Sequence, residues 1–109
     1  TMASKKKSPQ YSLLMFTKER CTPCLVAKPI VESVAVQLGI PLEMLNAADK
    51  EADALITGFN IMAVPTLLLL KDGKKLHEFV GQKDLTLKNL SDRIPKVLAK
   101  EEARAADHG

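Results

Sequence analysis

Apolar residues recur along this chain in two patterns, as short uninterrupted runs and as longer stretches with helical spacing. The run at residues 11–17 has polar residues on both sides and is typical of a buried strand. After a polar loop, apolar positions recur at helical spacing over residues 24–38, and Gly39 is a typical helix end. The first third of the chain therefore predicts a strand, a loop and a helix.

The middle of the chain repeats this order on a shorter scale. Residues 40–46 predict a second strand. Asp49 is a good N-cap for a short helix over residues 50–57, which Gly58 should end.

A hairpin and a last helix follow. Residues 64–71 predict a third strand, Asp72-Gly73 a tight turn, and the alternating residues 74–81 an antiparallel fourth strand. A final helix should begin near Asp84 or Thr86, because apolar residues recur at helical spacing beyond that point. These residues are Leu87, Leu90, Ile94, Val97 and Leu98.

The predicted order is β-α-β-α-β-β-α, which indicates an α/β fold. The first half gives parallel strands joined by a right-handed crossover, and the hairpin adds antiparallel pairing. We expect a four-stranded mixed sheet with helices on both faces and the first strand inside it. Residues 1–10 are expected to form a flexible arm, residues 11–100 one domain, and residues 101–109 a flexible tail.

Composition narrows the class of protein. The chain has 109 residues, with 46% hydrophobic and 27% charged residues, as in an ordinary globular domain. The net charge of +3 is too small to indicate nucleic-acid binding. No apolar run reaches the length of a membrane span, and residues 13–16 are too short for the core of a signal peptide. We therefore expect no membrane partner and a cytoplasmic location.

Two cysteines, Cys21 and Cys24, are the main candidates for chemistry. They are too close together to staple a fold. A structural zinc ion needs four ligands, and the only histidines are His77 and His108, so no metal site is expected. A redox pair or an accident of composition remains.

The position of Cys21 favours the redox interpretation. It follows a strand and precedes a helix whose start is indicated by Thr22 and Pro23. Unpaired N–H groups and a partial positive charge at a helix N-terminus stabilise a thiolate. Arg20 and Lys18 add positive potential. The outer thiolate of Cys21 would attack a substrate disulfide, and the inner thiol, Cys24, would resolve the mixed disulfide.

A proline precedes the third strand, in the sequence Val64-Pro65-Thr66. A proline in this position is either trans, simply starting a strand, or cis and structural. Periodicity does not choose between the two.

Over residues 13–98 the chain resembles thioredoxin. The resemblance lies in Cys21-Thr-Pro-Cys24, in Pro29 five positions later, and in the segment from Phe59 to Thr66. It extends to residues 67–73 and to Val80-Gly81. Glutaredoxin is the nearest rival, but its Cys-Pro-Tyr-Cys and Gly-Gly signatures are absent.

The resemblance implies the thioredoxin fold, dithiol–disulfide exchange and a cis Pro65 facing the cysteines. It also implies that the backbone at Val64 pairs with a substrate strand. Met62 should make the substrate groove apolar. The expected substrate-binding residues are Thr22, Pro23, Met62, Val64, Pro65 and Gly81.

The chain departs from the thioredoxin pattern in four ways. Arg20-Cys-Thr-Pro-Cys24 stands where the family has Trp-Cys-Gly-Pro-Cys. Met15 replaces the family's buried aspartate, and Met44 replaces its lysine partner. The family's opening strand and helix are expected to be missing, because only about ten residues precede the first strand.

Two functions from different classes are compatible with these residues. The first is a protein-disulfide reductase that needs no cofactor beyond the cysteine pair. Its partners would be disulfide-containing proteins and a thioredoxin reductase or another dithiol donor, and it would act as a monomer. The second is an interaction module that binds a partner through the groove around Pro65 with little turnover. Retention of both Cys21 and Cys24 favours the first.

Overall fold

A computed structural model describes residues 9–108 of the chain. Its strands are β1 (Tyr11–Thr17), β2 (Leu42–Asn46), β3 (Thr66–Lys71) and β4 (Lys74–Val80). Its α-helices are α1 (Thr22–Leu38), α2 (Asp53–Phe59), α3 (Gly81–Asp84) and α4 (Leu87–His108), and a 3₁₀ turn at Lys50–Ala52 leads into α2.

The four strands form one mixed sheet in the order β2-β1-β3-β4. β1 pairs in parallel with β2 and antiparallel with β3, and β3 pairs antiparallel with β4. This confirms the predicted four-stranded α/β sheet with β1 inside it. Phe16 is opposite Thr66, so the end of β1 and the start of β3 lie at the same end of the sheet.

Helices cover both faces of the sheet, as predicted. The larger core packs α1 and α4 against one face of the strands. The second core lies on the other face, where α2 contributes Ile56 and Phe59. Fully buried members of the larger core include Leu13, Met15, Ala27, Val31, Val34, Leu67, Leu69, Leu90 and Ile94.

The structure changes the predicted bounds of the middle helix. Residues 50–52 form a 3₁₀ turn, and Asp49 makes no side-chain capping bond there. The helix then runs through Gly58 to Phe59, and its C-cap, Asn60, has a left-handed backbone with φ of 56°. Gly58 as the helix end was therefore wrong. Asparagine adopts this conformation more readily than most residues, so it can end a helix in place of glycine.

The region after the hairpin also differs from the prediction. Gly81–Asp84 forms a short helix, α3, that the apolar pattern did not indicate. The last helix then begins at Leu87, where the Thr86 hydroxyl accepts a bond from the Asn89 N–H at 3.1 Å. This is the bond of an N-cap residue, so of the two predicted starts Thr86 is the better.

The last helix does not end near residue 100 as expected, because α4 continues to His108. Glu101 is buried at 8% exposure and forms ion pairs of 2.8 Å with Lys71 of β3 and with Arg104 one turn further on. These bonds hold the helix to the sheet. They are made by charged side chains, so the spacing of apolar residues does not predict them. Residues 1–8 of the predicted arm lie outside the described residues. The division into arm, domain and tail stays a prediction.

No helix within residues 9–108 combines the length and the apolar character of a membrane span.

Candidate active site

Cys21 and Cys24 form a disulfide at the start of α1. Cys21 is the N-cap residue of the helix, and its Sγ accepts a hydrogen bond from the Cys24 N–H at 3.2 Å. Pro23 lies in the first turn, where a proline costs no helix hydrogen bond. The N–H groups of this turn are donors that favour an anionic sulfur at Cys21 once the disulfide is reduced.

Both cysteines are largely buried in the disulfide form. Cys21 is 8% exposed and Cys24 is 4% exposed, while Thr22 between them is exposed and Pro23 is half-buried. The expected contrast between an outer and an inner cysteine is therefore small in exposure. The helix-capping bond to its Sγ is what distinguishes Cys21.

Pro65 lies in a tightly bonded turn before β3. The Val64–Pro65 peptide bond is cis, as the resemblance to thioredoxin implies. The Thr66 hydroxyl donates to the Ala63 carbonyl at 2.7 Å, and the Gly81 N–H donates to the Pro65 carbonyl at 2.8 Å. Two of the sequence-predicted site residues, Pro65 and Gly81, are thus joined directly.

The sheet and the helices place these segments at one end of the molecule. Phe16 is opposite Thr66, and Thr66 is opposite Val80, so the ends of β1 and β4 flank the start of β3. The short helix α3, which begins at Gly81, packs against α1. The cysteine loop, the Pro65 turn and Gly81 therefore share the same end of the sheet.

Apolar side chains near this end are exposed. Met62 is 82% exposed, two positions before the half-buried Val64. Leu25, next to Cys24, is 69% exposed, and Val80, next to Gly81, is 38% exposed. Single exposed apolar side chains are normal on a protein surface. Apolar surface beside a pair of cysteines is, however, typical of a site that binds a substrate chain.

The two predicted cations occupy different places. Arg20 directly precedes Cys21, is exposed and has a left-handed backbone with φ of 56°. Lys18 instead lines a cavity of about 180 Å³ that also reaches Cys24. The sequence interpretation assigned Lys18 to the Cys21 thiolate, whereas the structure puts it in the same cavity wall as the other cysteine.

That cavity contains side chains that the sequence interpretation missed. Its wall is formed by Thr17, Lys18, Cys24, Leu25, Lys28, Met44 and Asn46. Lys28 follows Cys24 by four residues, which places the two on the same helix face, so the spacing alone was a usable signal. Asn46 had no such signal, because only the fold brings the end of β2 to this point.

Met15 and Met44 are neighbours, as expected from the resemblance. Met15 is opposite Met44 in the pairing of β1 with β2, and it has 0% exposure. Met44 is half-buried and lines the cavity at Cys24. The described part of the chain contains no cluster of three or more histidine, cysteine or acidic residues suited to a metal ion.

Comparison with known proteins agrees with this geometry. The family model described as thioredoxin matches residues 3–95, which is most of the chain. The chain belongs to the thioredoxin family.

Individual thioredoxins are similar over most of their length. A thioredoxin of Chlamydia muridarum is 30% identical over 93 residues, covering 83% of this chain and 81% of that protein. A thioredoxin of Mycobacterium tuberculosis is 29% identical over 87 residues, covering 78% of this chain and 75% of that protein.

Solved thioredoxin structures have the same fold. A mutant thioredoxin from Halobacterium salinarum superposes with a TM-score of 0.69 at 29% identity, covering 81% of this chain and 74% of that one. Thioredoxin-2 of the malaria parasite superposes with a TM-score of 0.70 at 21% identity, covering 83% and 85%. With the Cys21–Cys24 disulfide, membership of this family indicates a thiol–disulfide oxidoreductase.

Proposed function

We propose that this thioredoxin-family chain reduces disulfide bonds in proteins, with Cys21 as the attacking thiolate and Cys24 as the resolving thiol. The observation that carries the proposal is the position of Cys21 as the N-cap of α1, where its Sγ accepts the Cys24 N–H bond. A thiolate in this position is more stable than the thiolate of a free cysteine, whose thiol has a pKa of about 8.5.

The reaction has two exchange steps. In the first, the Cys21 thiolate attacks one sulfur of the substrate disulfide, forming a mixed disulfide and releasing a substrate thiolate that takes a proton from water. In the second, the Cys24 thiol loses a proton, and its thiolate attacks the Cys21 sulfur. The Cys21–Cys24 disulfide forms, the Cys21–substrate bond breaks, and the second substrate thiolate leaves. Two electrons pass from the cysteine pair to the substrate.

The substrate chain would lie across the predicted groove. Thr22 and Pro23 form one side, beside the cysteines, and Val64 and Pro65 the other. The exposed Met62 supports an apolar substrate surface, and the bond between Gly81 and Pro65 supports a shared rim. In this proposal the backbone at Val64 pairs with an extended substrate segment.

The proposed partners follow from the chemistry. The oxidised pair must be reduced again, so a thioredoxin reductase or another dithiol donor is required. We propose a monomer that acts in the cytoplasm and binds neither nucleic acid nor membrane. The pair itself carries the electrons, and we propose that no further cofactor takes part.

Reduction of insulin disulfides with dithiothreitol as the electron donor tests this function. The native chain should accelerate the reaction in a catalytic manner, and Cys21→Ser should remove all of the acceleration. An interaction module would bind the partner but leave the rate at that of dithiothreitol alone. No acceleration by the reduced, folded native chain would contradict the proposal.

A further inference from the structure

The cavity beside Cys24 connects this residue, the less exposed of the two cysteines, to solvent. Its volume is about 180 Å³, which is room for several water molecules. Lys18, Leu25 and Lys28 line it and are themselves exposed, so its mouth reaches the surface. Thr17 and Asn46 supply polar groups to its wall. Water can therefore approach Cys24 from a side that does not pass Cys21.

The charges around this cavity have one sign. Its two charged side chains are Lys18, from the loop after β1, and Lys28, from α1. The β2 side contributes Met44 and Asn46, which carry no charge. The apolar Met15, opposite Met44, puts no carboxylate behind them. A negative charge that forms on Cys24 thus has cations and no anion in its own cavity.

Charged groups on the other elements packed against α1 are directed elsewhere or lie outside this wall. The carboxylate of Asp84 in α3 accepts the Val80 N–H at 3.0 Å. Lys83 of α3 is exposed and does not line the cavity. The residues of α4 in the shared core, such as Leu90 and Ile94, are apolar. Arg20 belongs to the segment directly before Cys21.

We propose that Lys28 is a positioning residue for the second exchange step, stabilising the Cys24 thiolate while water in the cavity takes the proton from Cys24. The inference rests on the proposed function. Lys28 follows Cys24 by four residues on one helix, a spacing at which side chains are neighbours. Lys18, from the loop after β1, lines the same cavity and adds a second positive charge.

The step balances without any added group. The Cys24 thiol gives its proton to a cavity water, and the thiolate attacks the Cys21 sulfur of the mixed disulfide. The Cys21–Cys24 bond forms as the Cys21–substrate bond breaks, and the substrate sulfur leaves as a thiolate that is protonated by water. Lys28 keeps its proton throughout and acts by its charge.

The test isolates the second cysteine and measures its ionisation. In a Cys21→Ser background, Cys24 is the single thiol, and the pH dependence of its alkylation by iodoacetamide gives its pKa. Lys28→Gln should raise that pKa, Lys28→Glu should raise it further, and Lys28→Arg should restore it. Lys74→Gln is the matched control, because Lys74 is an exposed lysine in the hairpin at the other end of the sheet.

A second readout uses the chain with both cysteines. A stopped-flow measurement follows release of the second thiolate after Cys21 has reacted with an aromatic disulfide. Near neutral pH, Lys28→Gln should slow this release about two- to fivefold, the effect of one partly screened charge. The slowing should shrink as pH rises past the Cys24 pKa, which a merely structural role would not produce.

The outcomes separate this inference from the proposed function. If Lys28→Gln matches Lys74→Gln in both readouts while insulin is still reduced, the role of Lys28 is wrong and the proposed function stands. If the native chain forms no mixed disulfide on Cys21, the proposed function fails, whatever the alkylation data show. A raised Cys24 pKa in Lys28→Gln with rescue by Lys28→Arg supports the inference.

Discussion

The two ends of the sheet are held by different kinds of bond. At the cysteine end, the Pro65 turn is fixed to Gly81 by a backbone hydrogen bond of 2.8 Å, and Cys21 accepts a backbone N–H. At the other end, Glu101 is held by Lys71 and Arg104 at 2.8 Å each. The Tyr11 hydroxyl donates to Glu102 at 2.7 Å at that same end.

The two ends therefore have different roles: one carries the cysteine pair, and the other fixes α4 to the sheet. The cysteine end places backbone donors and cations near the sulfurs, while the Asp84 carboxylate at that end accepts the Val80 N–H. A carboxylate facing the sulfurs would oppose a thiolate. The other end uses carboxylates to fix α4 against β1 and β3. Hydrogen bonds from Arg104 and Lys71 lower the pKa of Glu101 to about 2. Desolvation, with the Glu102 bond, raises the pKa of Tyr11 to about 12.

Placing a carboxylate at the cysteine end should have the largest effect on stability. Met15→Asp buries an unpaired charge at a site with 0% exposure and should cost about 3–5 kcal/mol of unfolding free energy at neutral pH. Because burial raises the pKa of the new carboxyl, the loss should shrink as pH falls. Urea denaturation at several pH values measures it.

Two further variants sharpen that measurement. Met15→Asp with Met44→Lys should recover part of the loss, because the two positions are opposite each other in β1 and β2. Met62→Asp makes the same change at a site with 82% exposure and should stay within about 0.5 kcal/mol of the native chain. A Met15→Asp protein as stable as the native one would place position 15 outside the core and contradict the packing of β1 described above.

Substitution of one glycine at each end of the sheet compares the two ends directly. Gly81 at the cysteine end has φ of 79°, and Gly73 in the far hairpin turn has φ of 82°; neither has a heavy atom within 4 Å of an added Cβ. Alanine at either position should cost about 1–2 kcal/mol through its left-handed backbone. Both variants should lose similar stability in urea, but Gly81→Ala alone should slow insulin reduction. Equal activity in the two folded variants would remove Gly81 from the substrate rim.

The far end should control the acid stability of the protein. Glu101 has a lowered pKa, so its ion pairs stabilise the fold above about pH 4.5 and lose that contribution as the pH falls towards about 2. Glu101→Gln should therefore be less stable than the native chain at neutral pH, and the gap should narrow in acid. Glu51→Gln, an exposed position on the 3₁₀ turn, is the control. Insulin reduction by Glu101→Gln at neutral pH should be unchanged. A difference in stability that is constant with pH would contradict the ion-pair account.

The smallest effect is expected from Arg20. Its charge favours the Cys21 thiolate, which exists only in the reduced state, so Arg20→Ala should lower the reduction potential. An exposed charge contributes about 0.5–1 kcal/mol, which is on the order of 10–20 mV for this two-electron couple. Equilibration with a glutathione buffer measures the potential. An unchanged potential together with an unchanged Cys21 pKa would remove Arg20 from the site.

Local sequence signals predicted the elements that depend on local bonds. The Asp72-Gly73 turn, the apolar β1 and the cysteine pair at the start of α1 were all visible as short patterns. The continuation of α4 was not, because Glu101 is held by Lys71 from a distant strand. The end of α2 was misplaced since Asn60 adopts the left-handed backbone expected of Gly58.

The site was predictable to a similar depth. Spacing identified Cys21 and Cys24, and the resemblance to thioredoxin supplied Pro65 and its cis bond. The contact between Pro65 and Gly81 requires the pairing of β3 with β4. The cavity at Cys24 requires the ends of β1 and β2 together with α1, so no single stretch of sequence contains it.

The central claim is that Cys21 attacks and Cys24 resolves. The most direct test mixes each reduced single-cysteine variant with a disulfide-containing peptide and locates the peptide adduct by mass spectrometry. The account predicts rapid accumulation of the adduct on Cys21 in Cys24→Ser, and little or no adduct in Cys21→Ser over the same time. Rapid capture of the peptide by Cys24 in the Cys21→Ser protein, with Cys21 unreactive in Cys24→Ser, would contradict it.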